Sequence, residues 1–197
     1  MRLFQIPFSH NCVKARHVLE LKGLEYDTVD INPAIRSPVR KVSDQPLVPA
    51  LVDGDHNVAG STAILLYLED VYPEPPLLPE DEDERAESLL LVDWADAVFM
   101  ALTRRLAYSS ILSSGNLGQL FFPTLPRTVR APSATLAGVI LRLRFGISKR
   151  SDRRDIPEAK RAAAVALERL GGRAYLVGDH LTLADVTLAA MVGLSSM

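Results

Sequence analysis

Residues 7–16 read Pro-Phe-Ser-His-Asn-Cys-Val-Lys-Ala-Arg, and the fold can be inferred outward from this stretch. The apolar run at 3–6 before it predicts a strand, and the spacing of apolar residues at 12–22 predicts a helix. Ser9 and Cys12 therefore lie where a strand turns into a helix. The unpaired N–H groups and the positive dipole at a helix start stabilise a thiolate there.

The spacing Ser-x-x-Cys is that of the redox motif Cys-x-x-Cys with one sulfur replaced by oxygen, so the turn cannot form an internal disulfide. The Ser9 hydroxyl can instead donate a hydrogen bond to a sulfur that arrives on a ligand. Three roles stay open for Cys12: a small buried apolar residue, a nucleophile that forms a mixed disulfide, or a thiolate helper. His10 is either a base or a solvent-facing loop residue, and we expect Lys14 and Arg16 to be surface charges.

Further along the chain, the pattern predicts a complete thioredoxin-like domain. Residues 26–31 predict a second strand parallel to the first, and 32–45 a polar, irregular connection. The runs at 48–52 and 56–59 flank Asp-Gly-Asp, which is a strong hairpin signal. A helix that Ser61 caps completes the order β-α-β-β-β-α.

Two features of this domain predict contacts with a ligand. Pro49 opens a strand, where a cis peptide bond is common, and a cis bond would direct the backbone N–H and C=O of Val48 towards a peptide-like ligand. Ser61 offers its hydroxyl and the adjacent N–H groups to a carboxylate. Each feature also has a purely structural interpretation, as a turn proline and as an ordinary N-cap.

The second half of the chain is helical throughout. Four prolines within 73–79 predict a stiff linker, so we place the first domain at 1–78, the linker at 79–82 and an all-helical domain at 83–197. An apolar stripe of helical period follows the linker, at Leu91, Ala95, Val98, Leu102 and Leu106. Helical periodicity recurs in three further segments: 133–145, 157–170 and 183–197. The basic stretch 142–154 is expected to be a solvated surface.

Bulk composition narrows the class of protein. The chain is 48% apolar with a formal charge of −2, which gives no general attraction to nucleic acid or to an anionic membrane. One cysteine cannot form an internal disulfide, and the N-terminal segment lacks the apolar core of a signal peptide. Four histidines and one cysteine show no metal-ligand spacing. We expect a cytoplasmic protein with no metal, nucleic-acid or membrane partner.

Together, these motifs resemble the cytosolic glutathione transferase family. The similarity is carried by Pro7-Phe-Ser-His-Asn-Cys-Val-Lys-Ala-Arg16, Leu24-Glu-Tyr26, Leu47-Val-Pro-Ala-Leu-Val52, Gly60-Ser-Thr-Ala-Ile64, Tyr67-Leu-Glu-Asp-Val-Tyr-Pro73 and Tyr175-Leu-Val-Gly-Asp-His-Leu-Thr-Leu-Ala-Asp185. It is specific up to about residue 79 and then only generally helical until Tyr175. The resemblance implies an α/β thioredoxin-like N-terminal domain that binds glutathione, followed by an all-α C-terminal domain that contributes the electrophile pocket.

Carried over by position, the resemblance implies roles for individual residues. Ser9 is expected to hydrogen-bond the glutathione sulfur, with Cys12 as its competitor for that role. The backbone of Val48, before Pro49, is expected to pair with the cysteinyl part of glutathione, and Ser61 to hold the γ-glutamyl carboxylate. The resemblance further implies glutathione as co-substrate, a small hydrophobic electrophile as second substrate, and a homodimer.

The chain departs from the family pattern in two places. The family usually has Glu, Gln or Asp where this chain has Gly60, so a partner for the ligand's amino group is missing and glutathione affinity is expected to fall. The chain also ends at Met197, shortly after Thr182, and an open or incomplete electrophile pocket is expected. Thr182 and Asp185 can form a capping box that starts a buried helix, which is a folding role.

The leading prediction is a glutathione S-transferase, a detoxification enzyme that conjugates the glutathione thiolate to small hydrophobic electrophiles. One alternative is a glutaredoxin-like thiol oxidoreductase that uses Cys12. Another is a non-catalytic protein that keeps the fold but not the chemistry, an interpretation that Gly60 and the short C-terminal region favour.

Overall fold

A four-stranded sheet forms the centre of the N-terminal half. The computed structural model describes residues 1–33 and 35–193. The strands are β1 (Arg2–Gln5), β2 (Asp27–Asp30), β3 (Ala50–Asp53) and β4 (His56–Ala59), in the spatial order β2-β1-β3-β4. β2 is parallel to β1, whereas β3 is antiparallel to both β1 and β4. The helices of this half are α1 (His10–Leu21), α2 (Ser37–Ser43) and α3 (Ser61–Val71). This is the thioredoxin-like arrangement that the sequence predicts.

The two faces of the sheet bury different helices, because successive strand residues point to opposite sides. Leu3 belongs to a core shared with α1 and α3, while its neighbour Phe4 belongs to a second core that includes Val39 of α2. The prediction of an irregular connection at 32–45 is therefore wrong, because this stretch contains α2. Its one fully buried side chain, Val39, leaves no periodicity for a sequence pattern to show.

The C-terminal half contains six further α-helices within the described residues. They are α4 (Glu82–Trp94), α5 (Met100–Ser114), α6 (Leu117–Phe121), α7 (Arg127–Phe145), α8 (Lys149–Leu170) and α9 (Leu183–Val192). The acidic start of α4 suits its positive end, and the Asp81 carboxylate accepts hydrogen bonds from the N–H groups of Asp83 and Glu84 at 3.0 Å. Leu77 and Leu78, just before the predicted linker, are buried in the core formed with α1 and α3. The domain boundary at 79–82 stays a prediction.

A π-helical turn, Ala95–Phe99, separates α4 from α5. The extra residue of such a turn shifts which side chains face the core. The predicted stripe is therefore wrong in part: Val98 is 44% exposed, whereas Phe99 is 4% exposed and lies in the core. The turn directs Asp96 towards the N-terminal half, where its carboxylate reaches α1.

Helix α9 is the buried core helix that the capping box predicts. The Thr182 N–H donates to Asp185 Oδ2 at 2.9 Å, and the Leu176 N–H donates to Asp185 Oδ1 at the same distance. The sequence predicts that this helix continues to 197, but residues 194–197 lie outside the described part of the chain. The expectation of an open electrophile pocket at the chain end therefore stays a prediction. Within 1–33 and 35–193, no helix combines the length and apolar character needed to cross a bilayer.

Candidate functional site

Three segments with ligand-binding potential meet at one edge of the sheet. β1 ends there and leads to Ser9, while the antiparallel β3 begins there after Val48 and Pro49. β4, antiparallel to β3, ends at the same edge and leads to Gly60. A hydrogen bond of 3.0 Å from the Gly60 N–H to the Pro49 carbonyl joins the last two segments. The fold therefore brings together the site residues that the sequence predicts.

The Ser9 turn leaves two backbone N–H groups without an acceptor among the described residues. Ser9 is the N-cap of α1, and its carbonyl accepts hydrogen bonds from the N–H groups of Cys12 and Val13 at 2.9 Å. Its half-buried side chain makes no capping hydrogen bond to a described backbone N–H, and the hydroxyl lies within hydrogen-bonding reach of the Cys12 thiol. Among the described residues, the N–H groups of His10 and Asn11 have no acceptor. This helix start can donate hydrogen bonds to an anion.

Cys12 is a buried thiol in this turn. Its side chain is inaccessible to solvent, and the Ile6 N–H donates to its Sγ at 3.4 Å. Burial raises the pKa of the Cys12 thiol, although the Ile6 N–H, the nearby Ser9 hydroxyl and the charges of Arg16 and Arg36 all act in the opposite direction. Reactive cysteines are accessible and have a lowered pKa. The environment of Cys12 therefore favours the packing role among the three that the sequence left open.

The backbone at Val48 is available for a ladder-type contact. The Val48–Pro49 peptide bond is cis, as the sequence predicts. Val48 is half-buried, and within the described ranges its N–H and C=O make no hydrogen bond. An extended ligand segment could pair with these two groups as an additional strand would.

The start of α3 is the second anion-binding element. The N-cap is Gly60, at φ 97°, and Ser61 is the first residue of the helix. The prediction that Ser61 caps α3 is therefore wrong by one position. Because glycine has no side chain to cap the helix, the N–H groups of Ser61 and Thr62 have no acceptor in the described part of the chain. The buried Ser61 hydroxyl makes no hydrogen bond to a described residue either.

Three polar residues of α1 differ from their predicted exposure. His10 is buried rather than solvent-facing, and burial, with the charge of Arg104, lowers its pKa. Lys14 is fully buried, and its Nζ donates to Thr62 Oγ1 at 3.1 Å and to Asp96 Oδ2 at 2.8 Å. The Arg16 guanidinium donates to the Pro7 carbonyl at 3.1 Å and also contacts Gln5, so it supports the turn.

Sequence reasoning also missed a group of charged and aromatic residues beyond the turn. Phe8 stacks on Phe121 of α6 with 6.4 Å between ring centroids, so the helical half reaches the Ser9 turn. Arg104 and Tyr108 of α5 lie next to Phe145. The adjacent arginines at 104 and 105 were the one available signal, but periodicity could not tell which of them faces the turn.

A cleft of about 430 Å³ lies elsewhere, between α1 and α9. It is lined by His17, Glu20, Leu21, Leu181, Asp185, Val186 and Ala189. These α1 residues are roughly 12–18 Å along the helix from Ser9, at 1.5 Å per residue. This cleft is thus separate from the sheet edge where the predicted site residues meet.

Comparison with known proteins gives matches in both halves of the chain. The family described as "Glutathione S-transferase, N-terminal domain" matches residues 3–76, and "Glutathione S-transferase, C-terminal domain" matches residues 131–196. A glutathione S-transferase of Triticum aestivum is 31% identical over 180 residues, covering 91% of this chain and 70% of the wheat protein.

Two further relatives extend the comparison. Glutathione S-transferase Z2 of Arabidopsis thaliana is 46% identical over 90 residues, which cover 44% of this chain. The match spans only 40% of the Arabidopsis protein's length. The crystal structure of the β-etherase LigF from Sphingobium sp. superposes with a TM-score of 0.74 at 24% identity, covering 98% of this chain and 82% of that one. At this identity the superposition establishes the fold.

Proposed function

Because this chain belongs to the glutathione S-transferase family, we propose that it binds glutathione at the sheet edge and transfers its thiolate to an electrophile. The observation that carries the proposal is the convergence of unused hydrogen-bonding groups at that edge. They comprise the Val48 backbone and the free N–H groups at the starts of α1 and α3, and the Ser9 hydroxyl lies beside the first of these helix starts.

Each group matches one part of the tripeptide. The start of α3 suits the γ-glutamyl carboxylate, because helix N-terminal N–H groups and the dipole bind anions. The Val48 N–H and C=O suit the amide groups of the cysteinyl residue. The ligand sulfur would then lie at the start of α1, beside the Ser9 hydroxyl.

The proposed role of Ser9 is to stabilise the thiolate. A free thiol with a pKa near 8.5 is only a few per cent ionised at neutral pH, and lowering that pKa by about two units needs about 2.7 kcal/mol. One charge-assisted hydrogen bond, together with the dipole and free N–H groups at the start of α1, is of this size. The thiolate sulfur attacks the electrophile, and the thiol proton passes to solvent.

Replacement of Ser9 tests the proposal. We expect Ser9→Ala to lower kcat/KM for conjugation of 1-chloro-2,4-dinitrobenzene by about 10- to 100-fold and to raise the pKa of bound glutathione, because a charged hydrogen bond contributes about 1.5–3 kcal/mol. Ser113→Ala removes an exposed serine on α5 and serves as the control. Unchanged conjugation and an unchanged thiol pKa in Ser9→Ala would exclude this role.

Burial weighs against the oxidoreductase alternative. A mixed disulfide requires an accessible, ionised Cys12, whereas this thiol is fully buried with a raised pKa. The oxidoreductase hypothesis predicts deglutathionylation activity that Cys12→Ser abolishes.

The third hypothesis, a non-catalytic protein, predicts no glutathione binding at millimolar concentration in titration calorimetry.

A homodimer and a cytoplasmic location are also part of the proposal. Exposed apolar side chains on the outer surfaces of α3 and α4 include Leu66 and Leu90, the latter 68% exposed. Burying them against a second copy would remove apolar surface from water, as in a homodimer. Light scattering at micromolar concentration tests this: a monomer at all concentrations would contradict it. A cytoplasmic location is likewise proposed.

A further inference from the structure

Three arginines surround one tyrosine at the side of the site formed by the helical half. Arg36 precedes α2, Arg104 and Tyr108 lie on α5, and Arg144 is near the end of α7. The Tyr108 ring stacks on Phe145 with 5.0 Å between centroids. The guanidinium carbons of Arg104 and Arg144 lie 5.3 and 5.8 Å from the Phe145 centroid.

None of these three arginines is ion-paired with a carboxylate in residues 1–33 and 35–193. Arg36 donates through Nε to the Pro33 carbonyl at 3.1 Å, while its Nη1 is buried without a partner. The Nε of Arg104 is also buried without a partner. Arg105, the next residue, shows the contrast: two of its nitrogens contact the Asp155 carboxylate at 2.6 and 3.1 Å.

Unpaired guanidinium groups held close together repel one another. The buried donors of Arg36 and Arg104 also lack the hydrogen bonds that water would supply, whereas Arg144 is exposed. Burial lowers the pKa of Arg36; Tyr108 and Cys12 act in the opposite direction, and the nearby charge of Arg144 makes a smaller contribution that lowers it. Burial raises the pKa of Tyr108, whereas Arg36, Arg104 and Arg144 all oppose that rise. A bound anion would relieve the repulsion and satisfy the donors together.

The arginine cluster lies on the side of the molecule that carries the Ser9 turn. Arg104 is close enough to His10, and Arg36 to Cys12, for each charge to lower the partner's pKa. The Asn32 amide donates to the Phe121 carbonyl at 2.8 Å, which holds α6 against the N-terminal half on the same side. An anion on the arginines would therefore lie near the proposed position of the glutathione sulfur.

From this arrangement we infer that the electrophile is an aromatic carboxylate, its ring against Tyr108 and Phe145 and its carboxylate on Arg36, Arg104 and Arg144. Arginine forks bind carboxylates with two hydrogen bonds, and aromatic rings stack on the neighbouring side chains. The inference rests on the proposed glutathione transfer and replaces the expected hydrophobic electrophile with a charged one.

For a chloroaryl carboxylate the reaction balances without an oxidant. The glutathione thiolate attacks the ring carbon that bears chlorine, and a carbon–sulfur bond forms. The carbon–chlorine bond breaks, and chloride leaves with the bonding electron pair. The thiol proton is lost to solvent, and the carboxylate keeps its charge throughout.

The test compares two probes that differ in charge: 4-chloro-3-nitrobenzoate and 4-chloro-3-nitrobenzamide. Each kcat/KM is divided by the probe's uncatalysed rate with glutathione, which corrects for intrinsic reactivity. We expect the corrected value to favour the carboxylate by at least about tenfold, since hydrogen bonds to charged groups contribute about 1.5–3 kcal/mol. Arg104→Gln and Arg144→Gln should each lower the carboxylate value by about tenfold or more and change the amide value by less than about twofold.

Arg142→Gln is the matched control, because it removes an exposed arginine from the same helix as Arg144. Equal corrected rates for the two probes in the wild type would overturn the inference. So would a loss in Arg142→Gln as large as in Arg144→Gln, because the effect would then be one of general charge.

Binding of unreactive 3-nitrobenzoate separates this inference from the proposed transfer reaction. If neither chloroaryl probe is conjugated, the proposed function fails for these substrates, and calorimetry with 3-nitrobenzoate decides the inference. Binding that Arg104→Gln weakens by about tenfold and Arg104→Lys weakens less would support the anion site. Absence of binding in the wild type, or equal binding in wild type and Arg104→Gln, would overturn it.

Discussion

The Nζ atom of Lys14 lies 2.8 Å from Asp96 Oδ2, which joins the first helix to the π-helical turn of the helical half. Thr62 completes the contact, since its hydroxyl donates to the same carboxylate oxygen at 2.7 Å and accepts from Lys14 at 3.1 Å. The starts of α1 and α3, where glutathione is proposed to bind, are thus held in register by one buried ion pair.

Removal of Lys14 should strongly destabilise the protein. Its side chain is 1% exposed and that of Asp96 is 23% exposed, so Lys14→Met leaves a largely buried carboxylate unpaired. We expect a loss of about 3 kcal/mol in the free energy of unfolding, measured by urea denaturation. The double variant Lys14→Met/Asp96→Leu should be less destabilised than Lys14→Met, because no lone charge remains.

The exposed pair Arg161–Glu158 on α8 provides the control. Arg161→Gln should leave the unfolding free energy unchanged within error, because water screens exposed charges. A loss in Lys14→Met no larger than in Arg161→Gln would show that the Lys14–Asp96 contact contributes little.

Cys12 should be unreactive in the folded protein. It is the chain's one cysteine, so the signal from a thiol reagent is unambiguous. Because the thiol is buried with a raised pKa, we expect its reaction with a disulfide reagent to be about a hundredfold slower than that of free cysteine, with full recovery of the rate in denaturant. Cys12→Ala should retain glutathione conjugation. Rapid modification, or loss of conjugation in a folded Cys12→Ala, would return the thiol to the mechanism.

A glycine should be needed at position 60 because of its backbone conformation, and not because a larger side chain would clash. Its φ of 97° is disfavoured for residues with a Cβ, while no described residue other than its two chain neighbours lies within 4 Å of where that Cβ would be. We expect Gly60→Ala and Gly60→Asn each to lower the free energy of unfolding by about 1–3 kcal/mol, because asparagine tolerates positive φ mainly near the left-handed helical ψ, whereas Gly60 has a ψ of 140°. Thermal unfolding of both variants measures the loss, and equal stability of Gly60→Ala and wild type would contradict it.

His10 should make stability depend on pH. Burial and Arg104 lower its pKa in the folded protein below 6.5, so as the pH falls below about 6.5 the unfolded chain takes up a proton first. The stabilising contribution of neutral His10 is therefore complete above that pH and is lost as the pH falls towards the folded-state pKa.

Urea denaturation between about pH 7.5 and pH 5 measures this loss. His10→Gln should remove part of the decrease that the wild type shows, whereas His56→Gln, at an exposed position on β4, should not. Identical pH profiles for wild type and His10→Gln would exclude the contribution.

The N-terminal fold was predictable because its signals are local. The alternating and helical runs around the Ser9 turn, the Asp-Gly-Asp hairpin and the proline after Val48 each follow from a few neighbouring residues. α2 escaped prediction because only Val39 in it is fully buried, and a single buried side chain has no period. The prediction that Val98 belongs to the apolar stripe of α4 and α5 was wrong, because a π-helical turn changes the period within the helix.

The positions of the candidate-site residues were predictable because the order of strands and helices fixes them. Ser9, Val48 and Ser61 sit at strand and helix ends, and those ends follow from the order of the elements. The roles of His10 and Lys14 could not be inferred, because both depend on side chains far along the chain: Arg104 for the first and Asp96 for the second.

By itself, the sequence determined a thioredoxin-like half, a helical half and the turn that joins strand to helix at Ser9, because local periodicity and capping specify these elements. Only the tertiary structure decided that Cys12 is buried, that Lys14 ties α1 to Asp96, and that unpaired arginines gather around Tyr108. Burial and charge are properties of neighbours in space, and those neighbours come from segments that folding brings together.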